Sequence, residues 1–377
     1  MIKLLTVIGA RPQIIKSSAI SRSVREKFSD QVEESILHTG QHYDTNMSQV
    51  FFDELGIPAP KFNLGVGSGP HGGQTAKMIS GIEDVLLSNH FDGIILYGDT
   101  NSTLAGAVAA SKLHIPVFHI EAGLRSFNMS MPEEVNRIVC DQLSNICFAP
   151  TLTAMKNLAK EGLTDSPASF ADGRHRLVVN SGDVMYDNSL FFAKIADQRH
   201  NTLRDLNLSD SQYILATIHR DYNTDHPQRL KSILQALKDI ASQHNIPIIL
   251  PLHPRTKAIL QREPGITSLC SGFTILPPVS FLEMTSLERH AKLVMTDSGG
   301  VQKEAFFFER PCIILRSETE WEEIVSEGAG IVTDADHDKI CDAYTLLSER
   351  KVHFPQLFGN GDASSVILDS IVNYLNS

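Results

Sequence analysis

Residues 93–120 read GIILYGDTNSTLAGAVAASKLHIPVFHI, and this stretch decides the fold. Gly93–Tyr97 and Pro116–Ile120 are apolar runs of strand length, and Thr103–Leu113 between them carries a helical pattern. Strands that are apolar throughout are buried on both faces, and two of them joined through a helix lie parallel. The alternation continues in both directions. Upstream are the strand-like runs Lys3–Ile8 and Ser35–His38. Downstream follow Ile146–Ala149, Leu177–Asn180, Tyr213–Thr217, Ile246–Leu250, Phe273–Leu276, Leu293–Thr296, Cys312–Leu315 and Gly330–Thr333. Helical patterns at Gln74–Leu87, Pro132–Asn145, Gln228–Ala241 and Val301–Phe308 separate them. The class is α/β, built as doubly wound parallel sheets.

So many strands exceed one ordinary sheet, and 377 residues correspond to two domains at roughly 150 residues each. The polar, Gly-containing stretch 161–176 marks the joint. The expected N-terminal domain is 1–170, the C-terminal domain is 171–362, and a last amphipathic helix within 363–377 crosses back to complete the first. Ligands of parallel sheets sit beyond the carboxyl ends of the strands, so two facing Rossmann-like domains predict a cleft lined by those ends.

A net charge of −11, with no basic run, excludes a polyanion such as nucleic acid as partner but permits one small anionic ligand. Cys140, Cys147, Cys270, Cys312 and Cys341 are odd in number and form no CxxC pair, which indicates reduced core thiols and a cytoplasmic chain. No apolar stretch reaches the length of a membrane span, and the first residues lack a signal-peptide pattern. No metal-ligand spacing appears.

The strand ends carry the chemistry. After the first strand come Gly9-Ala10-Arg11-Pro12-Gln13 and Lys16, a helix start with two cations, which suits an anion. Asp99 follows the Gly93–Tyr97 strand, where a helix cap is the simpler explanation. Glu121 follows Pro116–Ile120, with Arg125 as its nearest candidate partner. Ser130 and Glu133 have capping-box spacing. Taken singly these are structural; together, Asp99, Glu121 and Glu133 gather three carboxylates at the end of one sheet, which separates their pKa values into acid and base. In the second half, His219-Arg220 and His253-Pro254-Arg255 follow neighbouring strands. Ser298-Gly299-Gly300 opens a helix as a phosphate cradle. Glu304, about 9 Å further along that helix, can accept from both hydroxyls of a ribose. The arrangement predicts a nucleoside diphosphate.

These segments resemble the non-hydrolysing UDP-N-acetylglucosamine 2-epimerase family. The resemblance rests on GARPQIIK at 9–16, TGQHYD at 39–44, GDTNSTLAG at 98–106, HIEAGLRSFNMSMPEEVNR at 119–137, GDVMYD at 182–187, HR at 219–220, TDSGGVQKEA at 296–305 and GDASSVI at 361–367. It implies a B-type glycosyltransferase architecture, commonly a homodimer, and inversion at C2 of a UDP-2-acetamido sugar for cell-surface polysaccharide synthesis. The implied route is elimination of UDP to a 2-acetamidoglucal and re-addition, with no cofactor and no metal. By motif, Asp99, Glu121, Glu133 and His219 take the acid/base and charge-handling positions. Arg11, Lys16, His219, Ser298, Gly299, Gly300 and Glu304 take the UDP positions. Further candidate contacts, to the sugar or to a second nucleotide-sugar site, are Gln41, Arg125, His253, Arg255 and Arg316.

Departures from the family pattern are Gln13 in place of a Glu, His253-Pro254-Arg255, and Thr319-Glu320-Trp321-Glu322. They look more like the branch acting on UDP-2,3-diacetamido-2,3-dideoxyglucuronate, whose carboxylate would need a cation such as Arg255 or Arg316. Asp44 stands where a Gln is typical, against activation by a second nucleotide sugar. Rival readings are a UDP-sugar glycosyltransferase of the same fold, a hydrolysing epimerase and a nucleotide-sugar sensor.

Overall fold

A computed structural model describes residues 1–40, 56–165, 170, 173–199, 202–252 and 254–377. The chain divides into two compact units, residues 1–188 with 356–377, and residues 189–355.

The first unit holds one parallel sheet in the order β3-β2-β1-β4-β5-β6-β7. Its strands are β1 (Ile2–Ile8), β2 (Val32–His38), β3 (Phe62–Asn63), β4 (Gly93–Tyr97), β5 (Val117–Ile120), β6 (Ile146–Ala149) and β7 (Leu177–Asn180). The chain builds outward from β1 to β3, then returns to place β4 on the other side of β1. This reversal opens a crevice at the carboxyl ends of β1 and β4. The strand Leu177–Asn180, expected beyond a boundary at 170, pairs with β6 and belongs to the first sheet. Its few apolar residues read the same on either side of that boundary; backbone pairing places them.

The second unit repeats the plan in the order β10-β9-β8-β11-β12-β13. The strands are β8 (Ile214–Thr217), β9 (Ile248–Pro251), β10 (Thr274–Leu276), β11 (Leu293–Thr296), β12 (Cys312–Ile314) and β13 (Gly330–Val332). Here the reversal falls between β8 and β11. Successive residues of these strands enter different cores. Ile214, Ala216, Leu293, Met295 and Ile313 pack in one layer, and Tyr213, Leu215, Val294, Cys312 and Ile314 in the other. Side chains alternate across a sheet, so a strand flanked by helices on both faces must be apolar at every position. That requirement explains the continuous runs in the sequence.

The final helix, Ala363–Asn376, lies with the first unit. The buried carboxylate of Asp187 accepts from the backbone N–H groups of Ala363 (3.0 Å) and Ser364 (2.8 Å), and from the Ser364 hydroxyl (2.7 Å). An acidic side chain at a helix start satisfies donors that lack intrahelical partners. Among the described residues no helix is long and apolar enough to cross a membrane.

Gly9 shows how tightly the first crevice is drawn. A Cβ there would lie 2.1 Å from Ser102 Oγ and 2.2 Å from Thr39 Oγ1, which are themselves hydrogen-bonded at 2.8 Å. Gly9→Ala is therefore expected to lower unfolding free energy by about 1–3 kcal/mol, as overpacking does. A denaturant titration unchanged from wild type would contradict this packing.

Candidate active site

In the first unit the site forms where β1, β4 and β5 end. Helix Arg11–Lys27 follows β1 with Pro12 in its first turn, where a missing N–H costs nothing. Gln13 ties this turn to the next. Its Oε1 accepts from Gly9 N (2.8 Å) and Ala10 N (3.2 Å), while its Nε2 donates to Tyr97 O (2.9 Å) and Thr103 Oγ1 (3.0 Å). Only an amide can both accept and donate here, which accounts for Gln13 where the family pattern has a Glu. Arg11 is exposed at the helix start.

After β4, Gly98 turns with φ +62°. Thr100, not Asp99, caps helix Asn101–Lys112, accepting from Ser102 N and Thr103 N. Asp99 is left for other work and ion-pairs with Arg137. Asp99 keeps 31% of its side chain exposed and Arg137 only 5%, so the carboxyl faces outward with the guanidinium behind it. Burial pushes the Asp99 pKa up; the Arg137 and Lys16 charges pull it down, and Glu121 raises it again.

Glu121, directly after β5, sits at φ +72°, a conformation rare for a residue with a side chain. Its expected partner was Arg125, but its carboxylate pairs with Lys16. A Cβ on Gly98 would stand 3.2 Å from both Glu121 Oε2 and Lys16 Nζ. Asp99, Lys16 and Glu121 thus meet at the strand-order reversal of this sheet, with Gly98 between them.

Arg125 lies elsewhere. Its guanidinium is 1% exposed and pairs with Asp141 (2.7 Å) and, through two bonds of 2.7 Å, with Glu161. A buried, doubly paired guanidinium is a structural element and not a sugar contact. Glu133 is exposed on the first turn of helix Pro132–Leu143. The Ser130–Glu133 capping box does not form, because Ser130 Oγ donates to Asn128 Oδ1 at 2.6 Å. The buried carboxylate is Glu134, which sequence reasoning missed. It accepts from Ser126 N, Phe127 N and Ser126 Oγ at 3.0–3.1 Å and pairs with Arg137. Consecutive glutamates at a helix start differ only in which way the helix turns them.

In the second unit, the turns after β8 and β11 meet at the reversal. Asp297, fully buried, is the hub. It accepts from His219 N (3.1 Å), Arg220 N (3.0 Å) and Asn223 Nδ2 (3.1 Å), and its Oδ1 lies 3.3 Å from His219 Nδ1. His219 remains partly open to solvent. Asp297 also escaped the sequence reading, although it directly precedes the Ser298 that caps helix Gly299–Phe307. The first N–H groups of that helix lack intrahelical acceptors, a geometry that suits an anion. Trp321 Nε1 donates to Gly299 O (3.0 Å), with Lys303 Nζ 4.3 Å above its ring. Arg316 reaches the same turn but is held by Glu320 through two bonds of 2.9 and 3.0 Å. Glu304 lies half-buried on the helix. Gln41, Asp44 and His253 lie outside the described residues, as does the side chain of Arg255. Among the described residues no cluster of metal-ligating side chains occurs.

Two Rossmann-like units, each with charged groups or a helix start at its own strand-order reversal, define a doubly wound α/β protein. The comparisons make the class specific. A family profile of UDP-N-acetylglucosamine 2-epimerase matches residues 26–372. UDP-2,3-diacetamido-2,3-dideoxy-D-glucuronate 2-epimerase of Pseudomonas aeruginosa is 49% identical, over 97% of this chain and 98% of its own. UDP-N-acetylglucosamine 2-epimerase of Methanocaldococcus jannaschii is 41% identical over 97% and 98%. The crystal structure of the M. jannaschii epimerase in complex with UDP-GlcNAc and UDP superposes with a TM-score of 0.86, at 40% identity, over 99% of this chain and 100% of that one. The epimerase from Neisseria meningitidis bound to UDP-GlcNAc gives 0.84 at 27% identity, over 99% and 100%. The chain belongs to the UDP-N-acetylglucosamine 2-epimerase family and is an isomerase.

Removing the cation behind Asp99 tests the local electrostatics. In Arg137→Gln a charge that favours the ionised carboxyl is lost, so the Asp99 pKa is expected to rise further. Carbon-13 NMR titration of the labelled carboxyl reads this directly, and an unchanged or lower midpoint contradicts it.

Proposed function

We propose that the chain inverts C2 of a UDP-2-acetamido sugar reversibly, by eliminating UDP and adding it back. The meeting of Asp99, Lys16 and Glu121 at one strand-order reversal carries this reading. Inversion needs a base for the C2 proton and charge stabilisation for the departing diphosphate. Glu121 pairs with Lys16 and Asp99 with Arg137, and burial raises the Asp99 pKa, so the two carboxyl groups stand in different surroundings that suit a proton acceptor and a donor. The C2–H electron pair becomes the C1–C2 double bond of the 2-acetamidoglucal, and the C1–O pair leaves with UDP. Re-addition reverses both steps, with the proton delivered to the opposite face of C2.

Arg11, Lys16 and His219 neutralise the diphosphate in this reading. Ser298, Gly299 and Gly300 cradle it, and Glu304 accepts from the ribose. Glu133 keeps the role of third carboxylate through its motif position. No cofactor or metal takes part. For the sugar we infer UDP-2,3-diacetamido-2,3-dideoxyglucuronate, supported by the name and 49% identity of the P. aeruginosa relative. UDP-GlcNAc is the second reading, supported by the M. jannaschii relative and its bound ligands. The two cations considered for a sugar carboxylate are Arg255 and Arg316, of which Arg316 is paired with Glu320. Five free thiols support a cytoplasmic setting.

Proton NMR in heavy water with each substrate separately is the test. Loss of the C2 proton signal from at least one is expected; a glycosyltransferase would leave it. Glu121→Gln is expected to bind UDP yet lose exchange. No exchange on either substrate, or near wild-type exchange in the variant, overturns the proposal.

We also propose a homodimer. The support is an apolar groove on the first unit lined by Ile79, Leu104, Pro132 and Val135, of which Val135 is exposed. Light scattering is expected to give twice the chain mass; a monomer at micromolar concentration contradicts it.

A further inference from the structure

Behind the crevice of the first unit lies a set of charges that the reaction does not use, with His119, Asp141 and Arg125 buried and Glu161 at the surface. His119 on β5 donates from both ring nitrogens, Nδ1 to Asp141 Oδ1 and Nε2 to the Gly98 carbonyl, each at 2.7 Å. Both neighbours accept only, so the ring carries both protons and a positive charge. Burial opposes that charge, but the Asp141 carboxylate outweighs it, and the His119 pKa lies well above the ordinary histidine value. Asp141 is shifted the other way: burial would raise it, while His119 and Arg125 draw it below the usual carboxylate range. Two cations, His119 and Arg125, thus alternate with two anions, Asp141 and Glu161.

The two oxygens of Asp141 point to opposite sides of Glu121. Oδ1 takes His119, two residues before it, and Oδ2 takes the Gly123 N–H, two residues after it, at 3.1 Å. Between these anchors Glu121 N and Ala122 N both donate to the Phe148 carbonyl, at 3.1 and 3.0 Å. Glu121 is therefore held at positive φ by a carboxylate that grips the chain on either flank. The same histidine fixes the carbonyl of Gly98, the residue before Asp99. We propose that Asp141 is a positioning residue, setting through His119 and Gly123 the placement of Glu121 relative to Asp99.

The proposal rests on the reading of Glu121 as a reacting group, so Glu121→Gln is run in parallel. Asp141→Ala leaves two buried cations short of an anion and tends to unfold; Asp141→Asn keeps the volume and carries the test. Its single oxygen keeps the Gly123 flank, but its amide N–H can meet His119 Nδ1 only if the ring gives up that proton, so the charge-assisted grip on the His119 flank is lost. With folding verified by thermal melting above the assay temperature, kcat for C2 exchange is expected to fall roughly 10- to 100-fold, as small misplacements of reacting groups do. KM and the dissociation constant for UDP, measured by calorimetry, are expected to stay within about twofold. A merely structural role would instead lower the folded fraction and leave kcat per folded enzyme unchanged. A kcat within twofold of wild type, or KM and UDP affinity weakening in step with kcat, overturns the inference. If Glu121→Gln is inactive while Asp141→Asn is fully active, the inference alone falls. If Glu121→Gln is active, the reading beneath it falls as well.

Discussion

The ion pair between Lys16 and Glu121 is the interaction on which the first unit turns. A carboxylate at the end of a buried strand costs several kcal/mol to desolvate unless a cation meets it. Lys16 meets it from the first turns of helix Arg11–Lys27, across the strand-order reversal. Between the ends of β1 and β5 the chain turns at Gly98 with φ +62°, where a Cβ would crowd both members of the pair at 3.2 Å. The reversal at Gly98 then delivers Asp99 beside the pair, and Arg137 behind Asp99 balances its charge. Sheet order, a left-handed turn and a charge triad are one arrangement.

The second unit solves the corresponding problem with one buried anion. Asp297 collects backbone N–H groups from the turn after β8 and the side chain of Asn223, with His219 Nδ1 3.3 Å away. Hydrogen bonds to a charged acceptor are stronger than neutral ones, and several of them can replace a salt bridge. The result holds the turn that carries His219 beside the start of helix Gly299–Phe307.

Much of this was legible in the residues. Continuous apolar runs alternating with helical periods defined parallel sheets, and residues following those runs included Asp99, Lys16, Glu121, His219 and Ser298. What resisted reading was orientation. Glu133 and Glu134 are neighbours of identical chemistry, and the helix turns one outward and the other into a nest of Ser126 and Phe127 N–H groups. Arg125 stands four residues after Glu121 and looked like its partner, yet the intervening turn carries it to Asp141 and Glu161. Gln13 read as a departure from a pattern, and its purpose appears only when Tyr97 and Thr103 stand beside it. The strand Leu177–Asn180 had no local mark of the sheet it joins.

By itself the sequence determined the elements, their parallel arrangement, the positions where chemistry can occur and the family to which the chain belongs. These follow from periodicity, turn chemistry and motif, which are local properties of a chain. The tertiary structure decided which charges meet: Lys16 rather than Arg125 at Glu121, Asp141 on both flanks of Glu121, Asp297 beneath His219. The reason is physical. Pairing energies between charges depend on distance and burial, and those are set by strands and helices far apart in the sequence.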